Sequence, residues 1–336
     1  MKTSVLQLGQ LPPPYGGITR HIQGLKYNLD KDNVPNDVKS FYCRSFLSAA
    51  LKYKILHSHE IRAIPQILLP CFRLIGKRIV IGIHGEGLED RLTQNNMLKL
   101  NAAGKILLKL ALKYYNAFVV GNDKIKKFLI SQGVKSNKIF IIPEFIPFEE
   151  FSTEENPEVS SFVNGRKYFF SCGDLRKYHN EYLYGFDLIL EFAKTHKYLE
   201  NDYCFLINII GNNSPNQIEP FKDFILKYNL DKFVYLNCKS FTSMQLLIKN
   251  TFVFLRTTNT DGNALSILEA LQLKVPVIAS DVVPRPKSCI LFKNRNLEDL
   301  TDKILNLLIT RDSEATKIHE DFDSYERIKH LYESLK

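Results

Sequence analysis

The segment Arg256-Thr257-Thr258-Asn259-Thr260-Asp261-Gly262-Asn263-Ala264-Leu265-Ser266-Ile267-Leu268-Glu269-Ala270-Leu271 places two carboxylates eight residues apart. The apolar run Phe252–Thr257 before it reads as a buried strand, and Leu265–Leu273 reads as a helix. Asp261 then sits in a loop and Glu269 about one turn into the helix. The amides of Gly262, Asn263, Ala264 and Leu265 lie where a helix leaves its first N–H groups without internal partners, at the positive end of its dipole. Such a loop can bind a diphosphate, with a carboxylate on each side to grip hydroxyls. An ordinary helix start is the other reading. Ser266 and Glu269 have capping-box spacing, and Asn263 is a good N-cap. Glu269 stands among Leu268, Ala270 and Leu271, and a partly buried carboxylate must have a partner, which favours a ligand.

Two further loops follow strand-like runs. In Pro12-Pro13-Pro14-Tyr15-Gly16-Gly17-Ile18-Thr19-Arg20-His21 the glycines let backbone approach a ligand, and the helix start suits phosphate. The loop is not GxGxxG, so it carries no dinucleotide fingerprint, and a proline-stiffened turn is the alternative. In His84-Gly85-Glu86-Gly87 a histidine at a strand end can donate to a sugar hydroxyl or stabilise developing charge; a histidine satisfied by a carbonyl is the alternative. His57 and His59, two apart, lack an evident third ligand, so no metal site is read there. The six cysteines form no CxxC pair and fit a reducing compartment.

The elements that must position these loops alternate along the chain. Strand-like runs occur at Ser4–Gly9, Lys54–His59, Ile79–His84, Ala117–Gly121, Ile139–Ile142, Tyr168–Gly173, Tyr203–Gly211, Phe233–Leu236, Phe252–Thr257 and Val275–Ser280. Most are continuously apolar, as strands buried on both faces are. Helical stretches such as Ala103–Tyr115, Phe186–Thr195 and Leu265–Leu273 separate them. The expected fold class is α/β, with two doubly wound parallel sheets and a cleft between the domains. The expected domains are 1–150 and 160–320, joined by a Glu/Ser/Thr/Pro-rich linker at Phe148–Phe162. The tail from Asp321 to Lys336 carries Ile328, Leu331, Tyr332 and Leu335 at helical spacing, so it should dock, on the N-terminal domain.

With 336 residues, 45% apolar and 24% charged, the chain is no collagen, coiled coil or disulfide mini-protein. The net charge of +9 is uneven: residues 1–150 carry +11 and the rest −2. A basic first half suits an anionic partner such as a membrane surface or a phosphate-rich ligand. No nucleic-acid motif accompanies it, so nucleic acid is not an expected partner. Lys105, Lys109 and Lys113 recur every four residues and form one basic stripe, beside Ile106, Leu107, Leu110 and Leu112. These apolar residues either face the sheet or rest with the lysines on anionic lipid. The N-terminus does not read as a signal peptide, and charges and prolines interrupt the best membrane-spanning candidate, Ile61 to Ile83. A cytoplasmic protein, peripheral at the inner face of the membrane, is expected.

The Asp261-x7-Glu269 segment resembles the Glu-x7-Glu signature of glycosyltransferase family 4, and Val275-Pro276-Val277-Ile278-Ala279-Ser280-Asp281 continues the match. Pro14-Tyr15-Gly16-Gly17 resembles that family's N-terminal glycine loop, His84-Gly85 its His-Gly strand end, and Lys138–Pro143 the strand before its linker. Tyr184-Gly185-Phe186-Asp187-Leu188 resembles its Lys-Gly-x-Asp-Leu helix start. The resemblance implies the GT-B architecture, two Rossmann-like domains facing across a cleft, the first for acceptor and the second for donor. It implies retaining transfer of a sugar from a nucleotide-sugar to a saccharide or lipid-linked acceptor, with no cofactor and no bound metal. By that resemblance Glu269 holds the nucleotide ribose, Asp261 the donor-sugar hydroxyls, and the amides of Gly262–Leu265 the departing diphosphate. Gly16 and Gly17 close over the phosphates, and His84 contacts the donor sugar.

The family's Arg after the first C-domain strand and its Lys before the later glycine are Asp174 and Tyr184 here. Arg176, Lys177 or Arg256 would then supply the cationic charge. Three other functions share parts of this pattern: a GT-B nucleotide-sugar epimerase, a non-catalytic GT-B scaffold and a nucleic-acid-binding module. An epimerase needs no acceptor, a scaffold need not keep Asp261 and Glu269, and a nucleic-acid module needs a binding motif.

Overall fold

A computed structural model describes residues 3–12, 17–60, 62–84, 100–148, 156–211, 214–238, 244–261, 264–318 and 322–335. The chain divides into two compact units, Met1–Phe148 with Phe322–Lys336, and Glu149–Asp321.

The first unit is built on a six-stranded parallel sheet. Its strands are β1 (Val5–Leu8), β2 (Asn36–Lys39), β3 (Ile55–Ser58), β4 (Arg78–Ile83), β5 (Ala117–Val120) and β6 (Ile139–Ile141), in the order β2-β1-β3-β4-β5-β6. β1, β3 and β5 are buried along their whole length, β5 as a continuous apolar run and β1 and β3 with Gln7, His57 and Ser58 buried among their apolar residues. β2 was not legible as a strand: Asn36-Asp37-Val38-Lys39 is a half-buried edge whose polar residues satisfy the outer side. Chain direction around the sheet reverses between β1 and β3, so the crevice beyond their carboxyl ends is the topological switch point.

The helix Ser324–Ser334 belongs to this unit. Tyr325, Ile328, Leu331 and Tyr332 lie in one cluster with Val5, Ile55, Val80 and Ala117. Each such side chain, buried rather than exposed, contributes roughly 1.5–3 kcal/mol. Asp32 pins the outside, accepting hydrogen bonds from Tyr325 Oη at 2.7 Å and Lys329 Nζ at 2.6 Å.

The second unit repeats the plan with β7 (Lys167–Gly173), β10 (Tyr203–Ile209), β11 (Val234–Asn237), β12 (Val253–Arg256), β13 (Val277–Ser280) and β14 (Ile290–Phe292), in the order β11-β10-β7-β12-β13-β14. Every described pairing in this sheet is parallel. A small antiparallel hairpin of β8 (Lys177–Tyr178) and β9 (Glu181–Tyr182) follows β7. The switch point here lies between β7 and β12. The segment read as a linker is in part structured: Asn156 Oδ1 accepts from the Glu158 amide and Pro157 opens a helix through Val163.

Candidate functional site

Both switch points carry polar clusters. In the second unit β12 ends at Arg256, whose guanidinium forks onto Asp261, Nε to Oδ2 at 2.9 Å and Nη2 to Oδ1 at 2.8 Å. Arg285, from the segment after β13, adds Nη1 to Oδ2 at 2.9 Å. The Asp261 side chain is 8% exposed and that of Arg285 2%. Burial alone would raise the Asp261 carboxyl, but the two guanidiniums outweigh it and hold it below the ordinary carboxylate range. The three groups together carry one net positive charge, a desolvated site suited to an anion.

The surrounding backbone fixes this geometry. Thr258 Oγ1 donates to Asp261 at 3.2 Å, and Ser280 Oγ donates to the Thr258 carbonyl at 2.6 Å. Arg285 Nε donates to the Ser280 carbonyl at 3.2 Å and Nη2 to Thr258 Oγ1 at 3.2 Å, tying the ends of β12 and β13 together. Tyr184 lies beneath Arg256, its ring 4.8 Å from the guanidinium carbon. Tyr184 also crosses Gly173 so closely that a Cβ there would stand 2.1 Å from the ring. Gly185 has φ +61° and would set a Cβ 2.1 Å from the Thr257 carbonyl, so only glycine fits.

The helix Leu265–Gln272 follows, with Glu269 buried at its fifth position. Its N-cap is Ala264, with no side-chain cap; Ser266 lies inside the helix, so the capping box that Ser266 and Glu269 suggested is not built. Gly262 and Asn263 lie outside the described residues. Arg176 and Lys177 are exposed beside the β8–β9 hairpin. Arg176 is engaged by Asp174, Nε to Oδ2 at 2.8 Å, and Lys177 Nζ lies 4.8 Å from the Tyr182 ring. Asn259 bridges this hairpin to the Asp261 loop, its amide donating to the Leu183 carbonyl at 3.0 Å. The fold thus brings Tyr184, Arg256 and Asp261 into direct contact, with Glu269 on the adjoining helix. Arg285 was missed. It stands in a loop directly after a strand, and that position was its one available signal.

Gly17 and His84 belong to the first unit, and Gly16 lies outside the described residues. Gly17 opens the helix Gly17–Lys31. His84 directly follows β4, with its side chain 6% exposed. It meets His59, Nδ1 of His59 to Nε2 of His84 at 3.1 Å, and His21 stands beside both. His57 and His59, read from the sequence as lacking an evident third ligand, are joined here by His21 and His84 from other elements. A cavity of about 610 Å³ adjoins them at the ends of β1, β2 and β3, lined in part by Gly9, Ser40, His59, Glu60 and Arg62. Glu60 and Arg62 form an ion pair at 2.7 Å there.

Residues 152–327 match the family described as glycosyl transferases group 1. The chain belongs to that family. The chain is 27% identical over 212 residues to a poly(ribitol-phosphate) alpha-N-acetylglucosaminyltransferase of Staphylococcus aureus, a match covering 55% of the chain. The matched region spans only 39% of that relative's length. Among solved structures, the chain resembles HepE of Anabaena, crystallised with UDP, at TM-score 0.61 and 11% identity over 99% of this chain and all of the other. It resembles a glycosyltransferase from Rickettsia africae at TM-score 0.62 and 13% identity, over 99% and 98% of the two chains. The α/β architecture is thus GT-B.

Proposed function

We propose that the chain is a retaining glycosyltransferase of family 4 that moves a sugar from a nucleotide diphosphate sugar to a saccharide or lipid-linked acceptor in cell-surface polymer synthesis. The observation that carries this reading is the Arg256–Asp261–Arg285 cluster at the β7–β12 switch point, one turn before Glu269. Family membership, the poly(ribitol-phosphate) relative and the UDP held by HepE support it. In this proposal Glu269 accepts hydrogen bonds from the ribose. The amides at the start of the helix Leu265–Gln272, with Gly262 and Asn263 before it, take the diphosphate together with Arg256. Arg176 and Lys177 on the hairpin add charge as the phosphates arrive. Asp261 acts as a positioning residue, holding two guanidiniums where charge develops on the leaving diphosphate.

With cations and helix amides meeting that charge, the proposed transfer step uses no metal. No side chain is assigned as a covalent nucleophile. The sugar–phosphate bond breaks on the face where the acceptor oxygen bonds to the anomeric carbon, and the leaving phosphate takes the acceptor proton. The enzyme acts in the cytoplasm at the membrane face; no described helix is long and apolar enough to cross a membrane.

Calorimetry with a panel of UDP-, GDP- and ADP-sugars tests the donor. Binding of one nucleotide class, with nucleotide diphosphate released only when an acceptor is present and the anomeric configuration kept, is the expected result. Turnover of the donor without acceptor would replace transfer by epimerisation or hydrolysis.

A further inference from the structure

The first unit buries four histidines at its switch point, of which the family resemblance gives only His84 a part in donor chemistry, as a contact to the donor sugar. His57 and His59 come from the end of β3, His84 from the end of β4, and His21 from the helix Gly17–Lys31. One ring nitrogen from each of His21, His59 and His84 lies within 4.8 Å of the other two. The ring centroids stand 5.1 Å (His21–His59), 4.8 Å (His21–His84) and 5.3 Å (His59–His84) apart. With Zn–N bonds of about 2.0–2.1 Å, ligand rings at tetrahedral corners have centroids roughly 5.2 Å apart and donor nitrogens roughly 3.3 Å apart. The 3.1 Å separation of His59 Nδ1 from His84 Nε2 meets that spacing.

Three further observations converge on the same point. The Nε2 atoms of His21 and His57 are buried without a hydrogen-bond partner, a cost in free energy that an occupant removes. Gln7, opposite His57 in the β1–β3 register, buries its amide with both ends unpartnered. Gly82, two residues before His84, leaves the room: a Cβ there would stand 3.0 Å from His59 Nδ1, 3.1 Å from His84 Nε2 and 3.3 Å from His57 Nε2.

The tautomers also suit a metal. His21 Nδ1 lies 2.5 Å from the Glu144 carbonyl, which can only accept, so the proton sits on Nδ1 and the Nε2 lone pair faces inward.

We propose that His21, His59 and His84 bind a divalent transition-metal ion of the zinc class, with His57 Nε2 beside the fourth position. The ion ties the helix Gly17–Lys31 to the ends of β3 and β4. All-nitrogen ligation excludes magnesium and calcium, which take oxygen. All three ligands belong to the first unit, and the proposal rests on their geometry rather than on the function proposed above.

The test uses the full chain, free of any affinity tag, stripped with chelator, reloaded with Zn²⁺ alone and desalted. Elemental analysis should find about one zinc per chain, and Co²⁺ should give the visible bands of a tetrahedral nitrogen site. His59→Gln and Gly82→Ala, each checked for folding by circular dichroism, should weaken zinc affinity by about tenfold or more against a chromophoric chelator. Less than about 0.1 zinc per wild-type chain would overturn the proposal and leave a water-filled polar pocket. Wild-type affinity in a folded His59→Gln protein would overturn it as well.

Discussion

The Arg285 guanidinium, carried by the segment after β13, lies 2.9 Å from the Asp261 carboxylate, carried by the loop after β12, with both side chains under a tenth exposed. Two loops from neighbouring strands thus share one buried ion pair, and Arg256 completes a triad around the same carboxylate. Removing one member of such a set strands the remaining charge in a poorly solvated place, which costs about 3–5 kcal/mol.

Asp261→Ala should therefore lower the unfolding free energy by about 3–5 kcal/mol, read from urea unfolding of the full chain. Arg285→Ala should cost much less in the Asp261→Ala background than in wild type. A double-mutant cycle measures the difference. Additive costs would mean that Arg285 does not interact with Asp261 in solution.

The same pair predicts an acid response. The Asp261 carboxyl is held below its ordinary range, so folding contributes stability above the unfolded value of about 3.9 and loses it as pH falls through the lower folded value. The contribution of this carboxylate should be constant from pH 8 to about 5 and fall below about pH 4. In Asp261→Asn that part of the acid limb should be missing, while the limb due to other groups remains. Chemical unfolding at a series of pH values checks it. An acid limb identical in slope for both proteins would remove the assignment.

Glu269 separates a ligand role from a structural one. It is buried at the fifth position of its helix, past the first turn where a capping carboxylate would act. Glu269→Ala should leave the far-ultraviolet spectrum unchanged and reduce nucleotide-sugar binding by roughly 1.5–3 kcal/mol, the worth of a hydrogen bond to a charged group. Isothermal titration gives the number. Loss of fold in this variant would return Glu269 to a structural role.

The contrast between Glu269 and Arg285 shows which features a sequence displays. Strands such as β7 and β10 are legible because burial on both faces demands an unbroken apolar run. β2 and β14 escape because short edge strands are only half covered and keep polar or exposed residues. Asp261 and Glu269 are legible because one loop and one helix carry both. Arg285 reaches Asp261 only after β13 pairs with β12. His21, His59 and His84 lie far apart in sequence, and only the register of β3 on β4 and the return of the first helix bring them together. Local spacing reports chemistry within one element; sites assembled by sheet order leave no local trace.

The basic stripe of the helix Ala102–Tyr114 makes the last prediction. Of the apolar residues beside its lysines, Leu112 is buried with Leu108 and Ala111, whereas Ile106, Leu107 and Leu110 are exposed. The alternative in which all of them face the sheet is thus met only in part. Lys109 and Lys113 are exposed and Lys105 half-buried, so cations flank an uncovered apolar strip. That pairing of charge and apolar surface fits an anionic bilayer. Each lysine near such a surface contributes about 1 kcal/mol, and the apolar residues add to it only if they enter the interface. The full chain should co-sediment with vesicles containing an anionic lipid at low salt, and release at high salt should be partial because the apolar contacts are not screened. A Lys105→Glu, Lys109→Glu, Lys113→Glu variant should lose most of the binding. An Ile106→Ser, Leu107→Ser variant should bind at low salt and release completely at high salt. Equal binding to neutral and anionic vesicles, or unchanged binding of the triple variant, would show that the stripe merely keeps the outer face of the helix in water.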